Sequence, residues 1–96
     1  MTGKSLLCRR VWLNPLKSPD NGSFHTAVDF HDTEEGPFVE ADLCLRDCVR
    51  SITLDFGFHD KGGLKKRMKK AKLLLKEVQD FHDALEAASE AFLEVS

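Results

Sequence analysis

Histidine followed directly by aspartate occurs three times in this chain, at His31-Asp32, His59-Asp60 and His82-Asp83. Such pairs can ligate metals in helical phosphohydrolases, but that chemistry needs more His and Asp ligands on a much larger helical scaffold. Here two of the pairs fall at strand ends and one on a helical segment. His25, Asp29 and His31 alternate onto one side of an extended segment and could meet a metal, although their spacing matches no standard ligand set. The plainer expectation is three polar groups on a solvated sheet face, with no metal and no cofactor. Cys44-x-x-x-Cys48 is not the Cys-x-x-Cys of zinc ribbons or redox enzymes, and Cys8 has no partner in the sequence. Cys8 and Cys48 are expected to be buried, inert thiols. By parity Cys44 shares the solvated side with His25 and His31, an arrangement that would bring a thiol near a base. Gly62-Gly63 lacks the glycine spacing and preceding strand of a phosphate loop and reads as a helix-entry loop. No catalytic signature appears, so the chain is expected not to be an enzyme.

The elements that would position these groups follow from turn signals and alternation. Pro19-Asp20-Asn21-Gly22, Glu34-Glu35-Gly36-Pro37 and Asp60-Lys61-Gly62-Gly63 divide the first two thirds of the chain. Between them Phe24, Thr26, Val28 and Phe30 oppose His25, Ala27, Asp29 and His31. Val39, Ala41, Leu43 and Leu45 oppose Glu40, Asp42, Cys44 and Arg46, and Ile52, Leu54, Phe56 and Phe58 oppose Ser51, Thr53 and Asp55. Leu6 to Leu13 is strand-like but mixed. This alternation is that of an antiparallel sheet with one packed and one wet face, and the short connections favour a meander. The break around Arg46-Asp47-Cys48 could be a tight turn or a bulged continuation.

From Leu64 onward Met68, Ala71, Leu75, Val78, Leu85 and Phe92 recur at threes and fours, widened by Leu74, Phe81, Ala88 and Val95. The expectation is an α+β single domain, residues 1–96, with a four-stranded antiparallel meander over 1–59, a loop at 60–63 and a helix over 64–95 packed on one sheet face. Its core is drawn from Trp12, Phe24, Val28, Phe30, Leu43, Leu45, Ile52, Leu54, Phe56, Leu75, Val78, Phe81, Leu85 and Phe92. Thirty helical residues reach about 45 Å, whereas a strand of eight to ten covers only about 27–34 Å. The helix should therefore overhang its sheet or break in two, and an overhanging apolar stripe needs a second chain to cover it.

The helix charges are sorted by sign. From Lys61 to Lys76 every charged residue is basic, and from Glu77 onward every one is acidic. That order opposes the helix macrodipole, but it lets two antiparallel copies set each basic half beside the other's acidic half. Lys65, Lys69, Lys72, Lys76, Asp80, Asp83, Glu90 and Glu94 are the candidate interaction residues for a homodimer or another protein partner. The alternative is an adaptor or inhibitor acting through an acidic face of Asp29, Glu40, Asp42 and Asp55 against a basic surface. A small metal-dependent enzyme at His25, Asp29 and His31 is the third reading. The basic run Lys65-Lys66-Arg67-Met68-Lys69-Lys70-Ala71-Lys72 could bind phosphates, but no aromatic residue interleaves it and the acidic half would repel a long polyanion. Nucleic acid is therefore disfavoured as a partner. The net charge of −2 gives no global pull toward nucleic acid. No apolar run approaches a membrane span or a signal peptide, and an odd cysteine count fits reduced thiols, so a cytoplasmic protein is expected.

The stretch Asp47-Cys48-Val49-Arg50-Ser51-Ile52-Thr53-Leu54-Asp55-Phe56, followed by a helix ending Phe81-His82-Asp83-Ala84-Leu85, resembles small accessory proteins encoded by phages and prophages. The likeness covers the C-terminal half. It implies a protein that acts by binding, for instance by blocking a host defence complex in the manner of anti-CRISPR proteins, in the host cytoplasm. It transfers no catalytic residue.

Overall fold

A computed structural model describes residues 2–13, 22–47 and 50–96. Strands β1 (Thr2–Trp12), β2 (Gly22–Thr33), β3 (Gly36–Asp47) and β4 (Arg50–Asp55) form one antiparallel sheet in sequence order, and helix α1 (Lys61–Val95) follows. The α+β class and the four-stranded meander expected from the alternation are those found. The Pro19–Asn21 turn signal and Cys48 lie outside the described residues. Asp47 stands opposite Arg50, so β3 and β4 pair antiparallel as separate strands rather than running on as one bulged strand, and the link between them lies outside the described residues. In β1 the register shifts between Ser5 and Leu7, which leaves Leu6 as an extra residue. A bulge exchanges the faces on either side of it, which explains the mixed pattern of this strand.

The register sorts the side chains into two unlike faces. Leu7 and Val11 lie with Phe24, Val28 and Phe30, then Val39, Ala41, Leu43 and Leu45, then Ile52 and Leu54. The opposite face carries Cys8, Arg10 and Trp12, then His25, Asp29 and His31, then Glu40, Asp42, Cys44 and Arg46, then Ser51, Thr53 and Asp55. Apolar residues on one side and polar ones on the other would normally give one covered face. Here the apolar face stays largely open. Ala41 is the one apolar side chain buried among the described residues, and Ile52 is 57% exposed. Trp12 lies on the polar face and is exposed, and Phe30 and Leu45 are exposed as well, against their expected burial. Cys8, expected to be buried, is also exposed.

The helix begins earlier than the glycines suggested. Asp60 is its N-cap, accepting a hydrogen bond from the Gly63 amide at 2.6 Å, so residues 61–63 form the first turn rather than a loop. It runs unbroken for 35 residues, about 52 Å at the usual rise. It meets the sheet at the β4 edge, a narrower seat than the cover of a whole face. Arg67 Nε donates to the Gly57 carbonyl (3.1 Å), and Lys70 Nζ donates to the Asp55 carbonyl (2.6 Å) while lying 4.7 Å from the centre of the Phe56 ring. Past Leu74 every helical residue is exposed. Leu75, Val78, Phe81, Leu85 and Phe92, expected in the core, project beyond the sheet because the helix outruns it.

Candidate functional site

Three chemically distinct surfaces emerge. The first is acidic and lies on the polar sheet face. Asp29 stands directly opposite Glu40, and Asp42 directly opposite Asp55. All four residues of the expected acidic face therefore share one side of the sheet. Asp55 is already engaged: one oxygen accepts from the Gly57 amide (2.8 Å) and the other lies 3.7 Å from Arg67 Nη2. Among the described residues the Asp29–Glu40 rung carries no such cation, but His31 leans in beside it. His31 Nε2 is 3.7 Å from Glu40 Oε1, and its ring stacks on Phe38 with centroids 4.6 Å apart.

This cluster revises the expected metal trio. Donor atoms of Asp29, His31 and Glu40 lie within 4.8 Å of one another. His25 is not among them, for a simple reason. Strand residues rise about 3.3 Å each, so His25 and His31 are about 20 Å apart along β2 despite sharing a face. Alternation alone could not reveal Glu40, because a cross-strand neighbour is fixed by register rather than by the spacing within one strand.

The second surface is a shallow depression of about 500 Å³ at the other end of the same face, lined by Arg10, Trp12, Ser23, His25, Cys44, Arg46 and Ser51. His25 stands opposite Cys44, as parity suggested for that thiol, whereas His31 stands opposite Phe38. The polar face is thus basic at one end and acidic at the other.

The third surface is the helix. Arg67, Ala71, Leu74, Val78, Phe81, Leu85, Ala88, Phe92 and Val95 follow a strict alternation of fours and threes, the 3.5-residue period of a coiled-coil seam. Its first members, Arg67, Ala71 and Leu74, are half-buried near the sheet edge, while the rest are exposed. The wider apolar stripe read from the sequence contains this seam from Ala71 onward without isolating it. Lys65, Lys69, Lys72, Lys76, Asp80, Asp83, Glu90 and Glu94 are all exposed along the same helix. Lys76 and Asp80 pair with each other at 2.9 Å where the sign changes. Hydrogen bonds from His82 Nδ1 (3.2 Å) and Gln79 Nε2 (2.9 Å) hold the Asp83 carboxyl below its ordinary value. No helix among the described residues is long and apolar enough to cross a membrane. No protein family model matches the chain, and no curated protein or solved structure matches it at a significant level.

Proposed function

We propose that this protein is a binding module that self-associates through its charge-segregated helix. The observation that carries the reading is its surface. The chain exposes 8185 Å², whereas a compact monomer of its mass exposes about 5,500 Å². The excess is larger than the roughly 800 Å² that each partner buries in a standard interface. It includes the helical seam beyond Leu74 and part of the apolar sheet face, surfaces that a second chain can cover.

Charge complementarity selects a second copy as the partner. Antiparallel pairing centred on Val78 brings the basic Lys65–Lys76 stretch of each helix alongside the acidic Asp80–Glu94 stretch of the other, with these charges on the side of each helix away from the seam, where they attract over distance rather than in contact. The same pairing sets Ala71 opposite Leu85 and brings Leu74 within one residue of Phe81, small or branched groups meeting large ones as close packing requires. A parallel pair would instead face like charges along its whole length.

Light scattering after gel filtration tests the reading, with dimeric mass expected at low salt and weakening at high salt as exposed charges are screened. Reversing Lys69, Lys72 and Lys76 to Glu should weaken dimerisation at least about tenfold. Mixing that variant with one carrying Asp83→Lys, Glu86→Lys and Glu90→Lys should restore it as a heterodimer. Monomer at both salts, or dimerisation indifferent to both triple changes, would sink the proposal. A second reading rests on the two facing carboxylate pairs. The acidic sheet face could dock on a basic surface that otherwise holds nucleic acid, and Asp29→Asn with Asp42→Asn would weaken that contact while sparing the dimer.

A further inference from the structure

We infer that Asp29, His31 and Glu40 form a binding site for a divalent transition cation of the zinc class. Neighbouring antiparallel strands are well suited to build such a site. Residues two apart on one strand stand about 6.7 Å apart on the same face, and the residue directly across is about 5 Å away. Asp29 and His31 supply the first relation, and Glu40, opposite Asp29, supplies the second.

Three observations point to a cation. The donor atoms already converge within 4.8 Å, and bonds of about 2.0–2.2 Å to a tetrahedral ion place donors about 3.4 Å apart, a further closure of up to about 1.4 Å. Next, His31 Nε2 is shielded from solvent yet has no hydrogen-bond partner among the described residues, an unusual state for a buried nitrogen. Stacking on Phe38 holds the ring in place, with Nε2 3.7 Å from the Glu40 carboxylate. Finally, Asp29 and Glu40 face each other as like charges, which destabilises a cross-strand pair. One imidazole can offset at most one of those charges, whereas a divalent ion offsets both.

The donor set narrows the class. An imidazole argues against calcium and magnesium, which prefer all-oxygen shells, and the absence of thiolate from the trio argues against soft monovalent copper. Three protein ligands leave a position open to water on the exposed side of the sheet.

Titration calorimetry with zinc chloride on the untagged full chain tests the inference, with cobalt absorption as a second readout of coordination geometry. One zinc per chain is expected in the wild type. His31→Ala and Glu40→Gln should each weaken uptake by about tenfold or more, while His25→Ala and His82→Ala should leave it unchanged. Glu40→Gln preserves shape and removes the facing charge, so its metal-free form should melt no lower than the wild type. Zinc should then raise the wild-type melting temperature more than that of the variant. Absent stoichiometric uptake by the wild type, uptake that survives both ligand changes, or uptake lost with His25 or His82 would each overturn the site.

Discussion

Gly36 closes the β2–β3 hairpin with a backbone φ of 121°, a conformation that side-chain-bearing residues rarely adopt. A Cβ built there would touch nothing within 4 Å, so any penalty for substitution comes from the backbone alone. Gly36→Ala should cost about 1–2 kcal/mol in chemical denaturation while leaving the sheet's circular dichroism intact. Asp83 acts through charge instead. Its folded carboxyl titrates below the ordinary 3.8 because His82 and Gln79 hydrogen-bond its ionised form. That stabilisation is fully present above 3.8 and is lost as pH falls through the lower folded value. Asp83→Asn lacks the contribution, so its helicity should fall less steeply than wild type on acidification, read as helical circular dichroism from neutral pH downward. At this scale the sequence was informative about turns and misleading about ligands. The glycine in Glu34-Glu35-Gly36-Pro37 announces its own φ. The partner of His31 sits on another strand and announces nothing.

The strands were legible because each has unlike sides, and alternation of apolar and polar residues needs no knowledge of neighbours. Their register was not legible, since Asp29 facing Glu40 and His25 facing Cys44 depend on where each hairpin closes. The helix was legible in extent and misjudged at its start, because Asp60 caps a turn whose glycines look like a loop. Its burial was misjudged more deeply. An apolar stripe promises that something covers it, but not that the cover belongs to the same chain. The seam makes a separable prediction about the helix as an element. Phe81 is 67% exposed in the single chain and meets the Leu74–Leu75 stretch of the second copy in the proposed pair. Phe81→Ala should therefore leave monomer folding nearly unchanged, yet weaken association roughly tenfold to a hundredfold through about 1.5–3 kcal/mol of lost burial. Sedimentation velocity would measure the association and circular dichroism the fold. Equal loss of both would mean that Phe81 packs within its own chain.

Across the whole molecule, the radius of gyration is 17.7 Å, against about 12.5 Å for a compact domain of this length. The extra extent is the projecting acidic half of the helix, and it changes what stability means for this chain. A sheet with one buried apolar side chain among the described residues has little core of its own. If a second copy supplies the missing cover, folding and association are one equilibrium, and stability becomes a function of protein concentration. A hundredfold increase in concentration then stabilises the dimer by about 2.7 kcal/mol, shared between two chains. For a domain of this size that shifts the melting temperature upward by about 5 °C or more. Thermal melts across that range, followed by helical circular dichroism, read the effect directly. The Lys69, Lys72 and Lys76 reversal should melt lower than wild type at every concentration, since its dimer is weaker although its isolated sheet is unchanged. A melting temperature fixed across the range would show that the sheet and helix stand without a partner, and the open apolar face would then have to be stable in water by itself.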